Sequence, residues 1–569
     1  SQKVASYHGT QLDKYRRIQV LVNGRSVYSV GVARVEWATL PLSIEDVARV
    51  EINRGPNAAS YGVNSFFAVV NIITRSPLET LGDSISAYSG SRGDYRLYGQ
   101  HSGLNGDWNY RASASTNNVN GFDEDAEGDE RHDGHGSTMG NVYIQKETST
   151  SLFDMDIGAS SLKSKINPSE YEVGSLSGGY DTNKPKRLID REHIKLSYSQ
   201  QLSSRHEMKI QYYYDQSDLN EHHDVYLKRS FYSTLFNTPT PSMDVYDSYE
   251  VDLLETRQDV EVQSTWEASD KLRLISAIGY RLDEADSEHF LSGKASDEVF
   301  RLSSNMEYRA TDSWIFNGGA MLENSQMSGT FLSPKLGVTY KLSEQESIRF
   351  NTSKAVRTPD LWHYVLSNGE KSSTIYADNG EKEEKITSYE MGYYHYWPGR
   401  GLSLDVKLYH DVVKDMVLSK KLFTALGSSD EPVEEGVIED VDINGVEVEL
   451  DWRFRSGAMT RLTYAYQDTQ TENADLIKAT TPVMVSFFGS VPLTDRWSAQ
   501  GYYWYGKKLG GNNYEFLNSW LSYKLSLGGY SKATMGVGME ARLDNNSLVS
   551  KHNNFTKEAF AYVFTNVTF

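Results

Sequence analysis

From about residue 81 onward, apolar side chains recur at every second position in segments of roughly ten residues. The segment 402–409 reads LSLDVKLY and the segment 446–454 reads VEVELDWRF. A period of two is that of a β-strand whose two faces meet different surroundings. Carboxylates in the middle of such strands must face water, which a packed sandwich core does not supply and a wide hydrated barrel does. The pattern predicts a barrel with lipid outside and water inside.

Two kinds of connection separate these segments and alternate along the chain. Short turns are expected at 202–206, 268–272, 342–346, 398–401 and 493–496, and long polar loops at 118–137, 163–191, 218–257, 283–297, 357–386, 417–440 and 542–558. Membrane barrels have this asymmetry between their two ends. We expect about 22 strands between Ser84 and Phe569, and pairing of the last strand, AFAYVFTNVTF, with the first would remove the sheet edge.

Composition narrows the class of protein. The 569 residues contain no run of roughly 20 apolar residues, which excludes a bundle of membrane helices. A mean hydropathy of -0.55 still permits membrane strands, because only alternate positions need to be apolar. The net charge of -20 argues against a nucleic-acid partner, and the absence of cysteine excludes disulfides and thiolate metal sites. No secretory signal is visible in the polar segment that begins at Ser1, so we expect a processed or truncated N-terminus and infer export from the barrel.

Residues 1–80 lack the alternation and have a compact, mixed pattern. A barrel of 22 strands is wide enough to need an internal plug. The sequence therefore predicts an all-β membrane protein, with a 22-stranded antiparallel transmembrane barrel at 81–569 filled by a small α/β plug domain at 1–80.

Several segments carry a family resemblance. The runs VEINRGPNAASYG at 50–62 and VVNIITRSP at 69–77 resemble the closing half of the plug of TonB-dependent outer-membrane receptors, as does RIQVLVNGRSVYS at 17–29. The segments 333–364, 387–397 and 443–454 look like strands of the same family. The resemblance implies the outer membrane of a Gram-negative bacterium, with lipid and lipopolysaccharide around a monomer. It also implies a TonB partner, with its inner-membrane energising complex, on the periplasmic side. The first part of a typical plug and the TonB-coupling segment are not recognised in this sequence, so either they lie before Ser1 or the receptor departs from the family.

The RGP element of this resemblance has structural roles. Its residues are Arg54, Gly55, Pro56, Tyr61 and Gly62. The Gly55–Pro56 pair is expected to reverse the chain, Gly62 to adopt a backbone angle that a Cβ resists, and Arg54 to pair with carboxylates on the wall. Phe66 and Phe67 depart from the family, whose plugs usually carry small residues there.

The plug apex is the predicted ligand site. The candidate residues are His8, Tyr15, Arg25, Tyr28, Arg34, Glu36 and Trp37. Arginine and aromatic side chains suit an anionic, ring-bearing metal chelate through paired hydrogen bonds and stacking. The alternative interpretation is that Tyr28 and Trp37 only pack the plug against the wall.

Acidic loops offer candidate metal ligands. The segment FDEDAEGDERHDGHG at 122–136 contains His132, Asp133 and His135, and a second loop contains His222 and His223. Nitrogen and oxygen groups of this kind could collect Zn²⁺ or copper, or through oxygens alone Ca²⁺. We favour the alternative that these loops are acidic because they are solvated.

The function expected from the sequence is import of a scarce metal chelate, a ferric siderophore above all, without an intrinsic cofactor. Uptake of zinc, copper, haem or cobalamin is an alternative, with His363 and His8 as candidate axial ligands for haem. A passive porin or structural barrel is an alternative of another class. An enzyme is disfavoured, because neither a Gly-x-Ser-x-Gly nor a His-Glu-x-x-His motif occurs.

Overall fold

A computed structural model describes twelve stretches of the chain. They are residues 17–31, 34–121, 134–165, 186–227, 245–288, 290–291, 293–367, 383–418, 437–507, 513–529, 531–543 and 559–569.

The described part of the plug is built on a four-stranded sheet. Its strands are β1 (Ile18–Val22), β2 (Arg25–Ser26), β3 (Val47–Arg54) and β4 (Ala68–Thr74), in the order β2-β1-β4-β3. A short helix, α1 (Ala58–Tyr61), follows β3, and 3-10 turns lie at Trp37–Thr39, Ile44–Asp46 and Pro77–Thr80. The buried β1 pairs in parallel with β4, and β3 forms one edge of the sheet and β2 the other.

A closed barrel surrounds this sheet. Its strands are β5 (Gly82–Gly90), β6 (Tyr95–Asn105), β7 (Trp108–Val119), β8 (His135–Glu147), β9 (Ser151–Lys165), β10 (Lys186–Ser203), β11 (His206–Leu227), β12 (Val245–Ser269), β13 (Leu272–Ser287), β14 (Gly293–Arg309), β15 (Trp314–Ser325), β16 (Gly329–Ser343), β17 (Glu346–Arg357), β18 (Glu384–Trp397), β19 (Leu402–Leu418), β20 (Val437–Arg453), β21 (Met459–Gln470), β22 (Val483–Pro492), β23 (Trp497–Lys507), β24 (Tyr514–Gly528), β25 (Ser531–Arg542) and β26 (Ala559–Thr568). Two short helices, α2 (Leu361–Ser367) and α3 (Ala474–Ala479), lie between strands.

The last strand closes the barrel onto the first. Strand β26 pairs antiparallel with β5, with Thr568 opposite Ser84, and the Phe569 N–H donates to the Asp83 carbonyl at 2.9 Å. The prediction of 22 antiparallel strands is confirmed. The turn predicted at 398–401 lies between β18 and β19 as expected.

Some predicted loops are too long. The expected loop at 283–297 overlaps β13, which continues to Ser287, and β14, which begins at Gly293. The expected loop at 218–257 overlaps β11, which continues to Leu227, and β12, which begins at Val245 and has 25 residues. Buried side chains such as Glu221 and Leu253 still face inward there, while Asp218 faces outward. These strands exceed the roughly 9 to 11 residues that cross a bilayer. Their upper parts therefore lose the apolar outer face that marks a strand in the sequence.

Aromatic side chains on the outer face mark the other end of the barrel. Near the short turns the outward tryptophans are Trp108, Trp266, Trp314, Trp397, Trp452 and Trp497. Several pair with neighbouring rings, as Trp314 does with Tyr340 at 4.6 Å between ring centroids. Such a belt is typical of a membrane–water interface. Of the helices that the structure describes, none has the length and apolar character needed to cross a membrane.

Candidate functional site

A buried cluster around Glu384 joins the start of the plug sheet to the wall. Arg17, directly before β1, donates to Glu384 through Nε at 2.8 Å and Nη2 at 2.6 Å. Arg357 of β17 donates to the same carboxylate at 2.9 Å, and so does the Val417 backbone N–H at 2.8 Å. The Glu384 side chain is completely buried. Four hydrogen bonds stabilise this buried carboxylate, and its single negative charge is shared by the two guanidinium groups.

A second ionic cluster holds the turn between β1 and β2. Arg25 pairs with Asp215 on β11, which also accepts from Arg191 Nη2 at 2.8 Å. Arg257 of β12 donates to Ser26 Oγ at 2.9 Å. Burial lowers the pKa of the Arg25 guanidinium from its ordinary value, and the Asp215 carboxylate opposes that shift. Arg25 is therefore committed to the wall and is almost inaccessible to solvent.

Two wall carboxylates accept hydrogen bonds from the plug backbone. Glu255 on β12 accepts from the Gly31 N–H at 2.6 Å and from the Ser29 hydroxyl, and Glu323 on β15 accepts from the Val63 N–H. A Cβ on Gly31 would lie 2.9 Å from the Glu255 carboxylate. The plug therefore approaches the Glu255 carboxylate through glycine, where no side chain intervenes.

The RGP turn makes the same kind of contact. Arg54 Nη1 lies 2.6 Å from Glu447 Oε2 on β20, so the expected pairing with a wall carboxylate occurs. Gly55 has φ +93°, and a Cβ there would come within 2.6 Å of Glu390 on β18. Gly62 has φ +84°, which favours glycine as the sequence predicted. Pro56 is buried beside the turn, whereas Tyr61 is exposed.

Phe66 and Phe67 join the plug to the wall through an apolar cluster. Both rings are fully buried, with centroids 5.1 Å apart in an edge-to-face arrangement. The cluster also contains Ala58, Ala355, Ile386, Tyr409, Val413, Met416, Val441, Ile443 and Leu476. Two large rings stand where family plugs usually carry small residues, because here the wall supplies an apolar pocket from β17 to β20 and α3.

Asp46, at the end of the turn that precedes β3, holds the opposite side of the plug. Its carboxylate accepts from Tyr98 Oη at 2.8 Å and from Ser113 Oγ at 3.2 Å, and Arg111 Nε lies 3.7 Å away. Burial raises the pKa of the Asp46 carboxyl above its ordinary value, and Arg111 opposes the shift. Sequence reasoning did not single out this residue.

The predicted apex residues separate in the structure. Tyr28, Arg34 and Glu36 line a cavity between plug and wall whose enclosed volume is about 30 Å³, and Arg34 Nε pairs with Glu36 Oε1 at 2.6 Å. The wall side of the cavity includes Arg191, Asp215, Glu255 and Arg257. A space of this size holds about one water molecule. A chelate would therefore rest at the mouth of the cavity unless the plug moves.

Two other apex candidates, Trp37 and Arg25, do not line this cavity. Trp37 packs against the apolar core of the plug, and Arg25 lies in the ionic cluster with Asp215. His8 and Tyr15 lie outside the described residues.

The candidate metal ligands are spread apart where the structure places them. His135 begins β8, and His222 Nδ1 lies 2.5 Å from Glu250 Oε1 across β11 and β12. His132 and Asp133 lie outside the described residues, as do the side chains of His223 and His363. Within the described stretches, no three His, Asp or Glu side chains are grouped in a way that could hold a metal ion.

Comparison with known proteins decides the family. The family model described as TonB dependent receptor-like, beta-barrel, matches residues 49–545, and the TonB-dependent Receptor Plug Domain matches residues 2–69. The chain belongs to the TonB-dependent receptor family. This places the receptor in the outer membrane of Gram-negative bacteria, in a family of receptors and transporters.

Individual relatives resemble this receptor to different extents. The vitamin B12 transporter BtuB of Photobacterium profundum is 31% identical over 109 residues, which is 19% of this chain and 18% of that protein. The siderophore receptor PirA from Acinetobacter baumannii has a TM-score of 0.74 at 15% identity, over 97% of this chain and 91% of that one. The copper transporter OprC has a TM-score of 0.73 at 14% identity, over 97% and 90%. At these identities the solved structures show the fold alone.

Sequence reasoning missed the residues that hold the plug of this receptor. Glu255 and Glu384 lie inside the predicted loops at 218–257 and 357–386, although the structure places them on β12 and β18, and Glu323 faces inward on β15. Alternation indicates which carboxylates face the lumen, but not which of them meet a plug backbone N–H or guanidinium. That selection depends on how the plug sits in the barrel.

Proposed function

We propose that this receptor imports a ferric siderophore, which binds between the plug apex and the external loops. A TonB partner, energised from the inner membrane, then moves the plug. The observation that carries the proposal is the multiple attachment of the plug to the wall. The plug is held by ionic clusters at Glu384 and Asp215, by backbone contacts to Glu255 and Glu323, and by the apolar cluster that contains Phe66 and Phe67. A plug held in this way would not leave by thermal motion alone, so passage would need work from outside the membrane.

The charge at the apex supports an anionic ligand at the cavity mouth. Arg34 is half-buried and pairs with Glu36, while the wall arginines around it pair with carboxylates. An incoming anion with several oxygens would compete with Glu36 for Arg34 through paired hydrogen bonds. The names of structural neighbours, which include siderophore receptors, agree with this choice.

Binding to cells at low temperature tests the apex assignment. Replacing Arg34 by alanine should weaken binding of ferric siderophores and leave the heat-dependent gel mobility of the barrel unchanged. Loss of Arg34 removes a charge-assisted pair, for which about 1.5 to 3 kcal/mol, or roughly tenfold or more in affinity, is expected. Unchanged binding in this variant would place the ligand elsewhere.

Cobalamin uptake is the second candidate, because of the partial identity with BtuB. Growth of iron-starved cells with and without the receptor, on a panel of siderophores, haem and zinc sources, shows which of these the receptor takes up. A parallel culture of cells whose growth requires added vitamin B12 tests whether the receptor takes up cobalamin. Growth that depends on the receptor with B12 alone would replace the siderophore proposal.

A further inference from the structure

Aromatic side chains cover the inner face of the wall on one side of the barrel. This aromatic sector, on β22 to β26 and β5, consists of Phe488, Tyr502, Trp504, Tyr514, Phe516, Trp520, Phe560, Tyr562, Phe564 and Tyr88. Their inward direction follows from alternation, since Val563, between Tyr562 and Phe564, points outward and is 55% exposed. Large rings that line a hydrated lumen are unusual, because they leave apolar surface in contact with water.

Two of these rings lie over glycines of the wall. Atoms of the Phe564 ring lie 2.2 Å from the position of a Cβ on Gly536, and atoms of the Tyr562 ring lie 2.3 Å from that on Gly538. Each ring therefore occupies the space that a side chain at the facing position of β25 would take. Tyr88 extends the surface, with its ring centroid 5.5 Å from that of Tyr562. These rings form one group, and the rings on β23 and β24 form a second.

In that second group, the Trp504 and Tyr514 rings are 4.8 Å apart and steeply inclined to each other, and Tyr502 lies 6.5 Å from Phe516. Both groups thus present π-faces and ring edges along the same side of the lumen. Such surfaces stack well on planar rings.

The plug presents its free edge to this sector. Strand β3 is held at one end by Asp46, which bonds to β6 and β7, and at the other by Arg54, which pairs with β20. Between these attachments β3 crosses the lumen in front of the strands that carry the aromatic sector. Its side chains are exposed, with Val50 at 50% and Ile52 at 64%. The described edge of the plug on this side of the lumen is therefore accessible to solvent.

The inner face of this side of the barrel is basic in a strongly acidic chain. On the described parts of β22 to β26 and β5, alternation places Lys524, Lys532 and Arg542 inward, against one inward acid, Glu540. At the outer end of the sector, Arg96 of β6 pairs with Glu45 of the plug at 3.0 Å. Arg92, whose guanidinium lies 4.0 Å from the centroid of the Phe560 ring, pairs with Asp94 at 3.1 Å. The chain as a whole has a net charge of -20. The sector combines rings with positive charge, which complements an anion that carries aromatic rings.

We propose that the aromatic sector is a second binding surface, for anions that carry aromatic rings, on a path between β3 and the wall. The claim that the ligand passes inward along this path rests on the proposed function, whereas the claim that it binds to the aromatic sector does not. The ligand slides its rings over the wall while the basic side chains balance its charge. On this side of the lumen the described edge of the plug is accessible to solvent.

Equilibrium dialysis with radioactive iron tests the binding on the purified full-length receptor. The probe is iron(III) tris(catecholate), an anion with three aromatic rings, and neutral iron(III) acetohydroxamate is the ring-free comparison. Replacing Trp504 and Tyr562 together by leucine should weaken binding of the catecholate complex about tenfold, because each stacked ring contributes roughly 0.5 to 1.5 kcal/mol. Binding of the acetohydroxamate complex should be unaffected.

The matched control is the pair Trp314→Leu and Tyr340→Leu, two contacting rings on the outer face of the barrel. This variant should bind the catecholate complex as the original receptor does. The proposal is overturned if the original receptor does not bind the complex, if the Trp504 and Tyr562 variant binds it equally well, or if the control loses as much affinity. Failure of cells to take up any iron chelate would contradict the proposed function and leave the dialysis result standing.

Thiol labelling tests the place of binding independently. Because the chain has no cysteine, Ile52→Cys on β3 creates a single thiol, and Val69→Cys on the neighbouring β4, only 1% exposed, is its control. A methanethiosulfonate reagent should modify Ile52→Cys much faster than Val69→Cys, and iron(III) tris(catecholate) should slow that reaction. Equal labelling rates at Ile52→Cys with and without the complex would place the complex away from β3.

Discussion

Replacement of Glu384 by glutamine should loosen the start of the plug sheet. Glu384 accepts two hydrogen bonds from Arg17 and one each from Arg357 and the Val417 N–H. The side chains of Arg17 and Arg357 are only 5% and 1% exposed. Glutamine keeps one acceptor oxygen but removes the negative charge, so two buried guanidinium groups lose their common counter-ion.

The size of the effect follows from that loss. Removing one partner of a buried ion pair typically costs about 3 to 5 kcal/mol. Arg17 keeps its hydrogen bond to the Val417 carbonyl at 2.8 Å, so the lower end of the range is expected. About 3 kcal/mol corresponds to a roughly hundredfold larger population of the open form of this region.

Hydrogen exchange measured by mass spectrometry reports that population directly. Peptides that cover β1, Ile18–Val22, should exchange about a hundredfold faster in Glu384→Gln, while peptides from β26 should not change. Glu449→Gln is the matched control, because its lumen-facing carboxylate is 36% exposed and pairs with a half-exposed Arg461. Unchanged exchange of β1 in Glu384→Gln, or an equal acceleration in the control, would refute the reasoning.

Three further changes should affect the attachment of the plug. The pKa of Asp46 is raised above its ordinary value of 3.8 by burial, so the folded state holds this proton more tightly. Attachment of the plug should therefore weaken as the pH rises from about 4 through the raised pKa. The protection of β3 from hydrogen exchange should fall over this pH range, and Asp46→Asn should abolish that dependence. Gly55→Ala places a Cβ 2.6 Å from Glu390 at φ +93°, which strains the turn and should loosen the plug, so trypsin should cleave the plug faster. Gly99→Ala is the control, because a Cβ there meets open space, and its plug should be cleaved at the original rate. Phe66→Ala should cost about 3 to 5 kcal/mol through the cavity left between plug and wall, and unchanged protease resistance of the plug would show that the ring is not part of a packed core.

The strands of the wall were predictable because their surroundings differ on the two faces. Segments such as 402–409 alternate throughout the thickness of the lipid, and their ends at the short turns were correctly placed. The prediction failed where β11 and β12 rise above the membrane, because water on the outer side removes the contrast on which it depends. The plug motif was equally visible, since Gly55 and Gly62 adopt the positive φ that favours glycine.

The candidate site was only partly predictable. Residues near each other in the chain, such as Arg34 and Glu36, were recognised together and do pair. Arg17 and Glu384, separated by 367 positions, meet only because the barrel closes around the plug. Arg25 was expected at the ligand surface, but a carboxylate on β11 draws it into the wall. No local pattern contains that information.

Uptake of radioactive iron by iron-starved cells tests the central claim most directly. Cells that carry the receptor and TonB should accumulate iron from at least one ferric siderophore. Cells without TonB should bind the chelate but accumulate no iron. Cells without the receptor should neither bind the chelate nor accumulate iron. Equal accumulation with and without TonB would contradict an account in which the plug closes the barrel and must be moved to let the ligand pass.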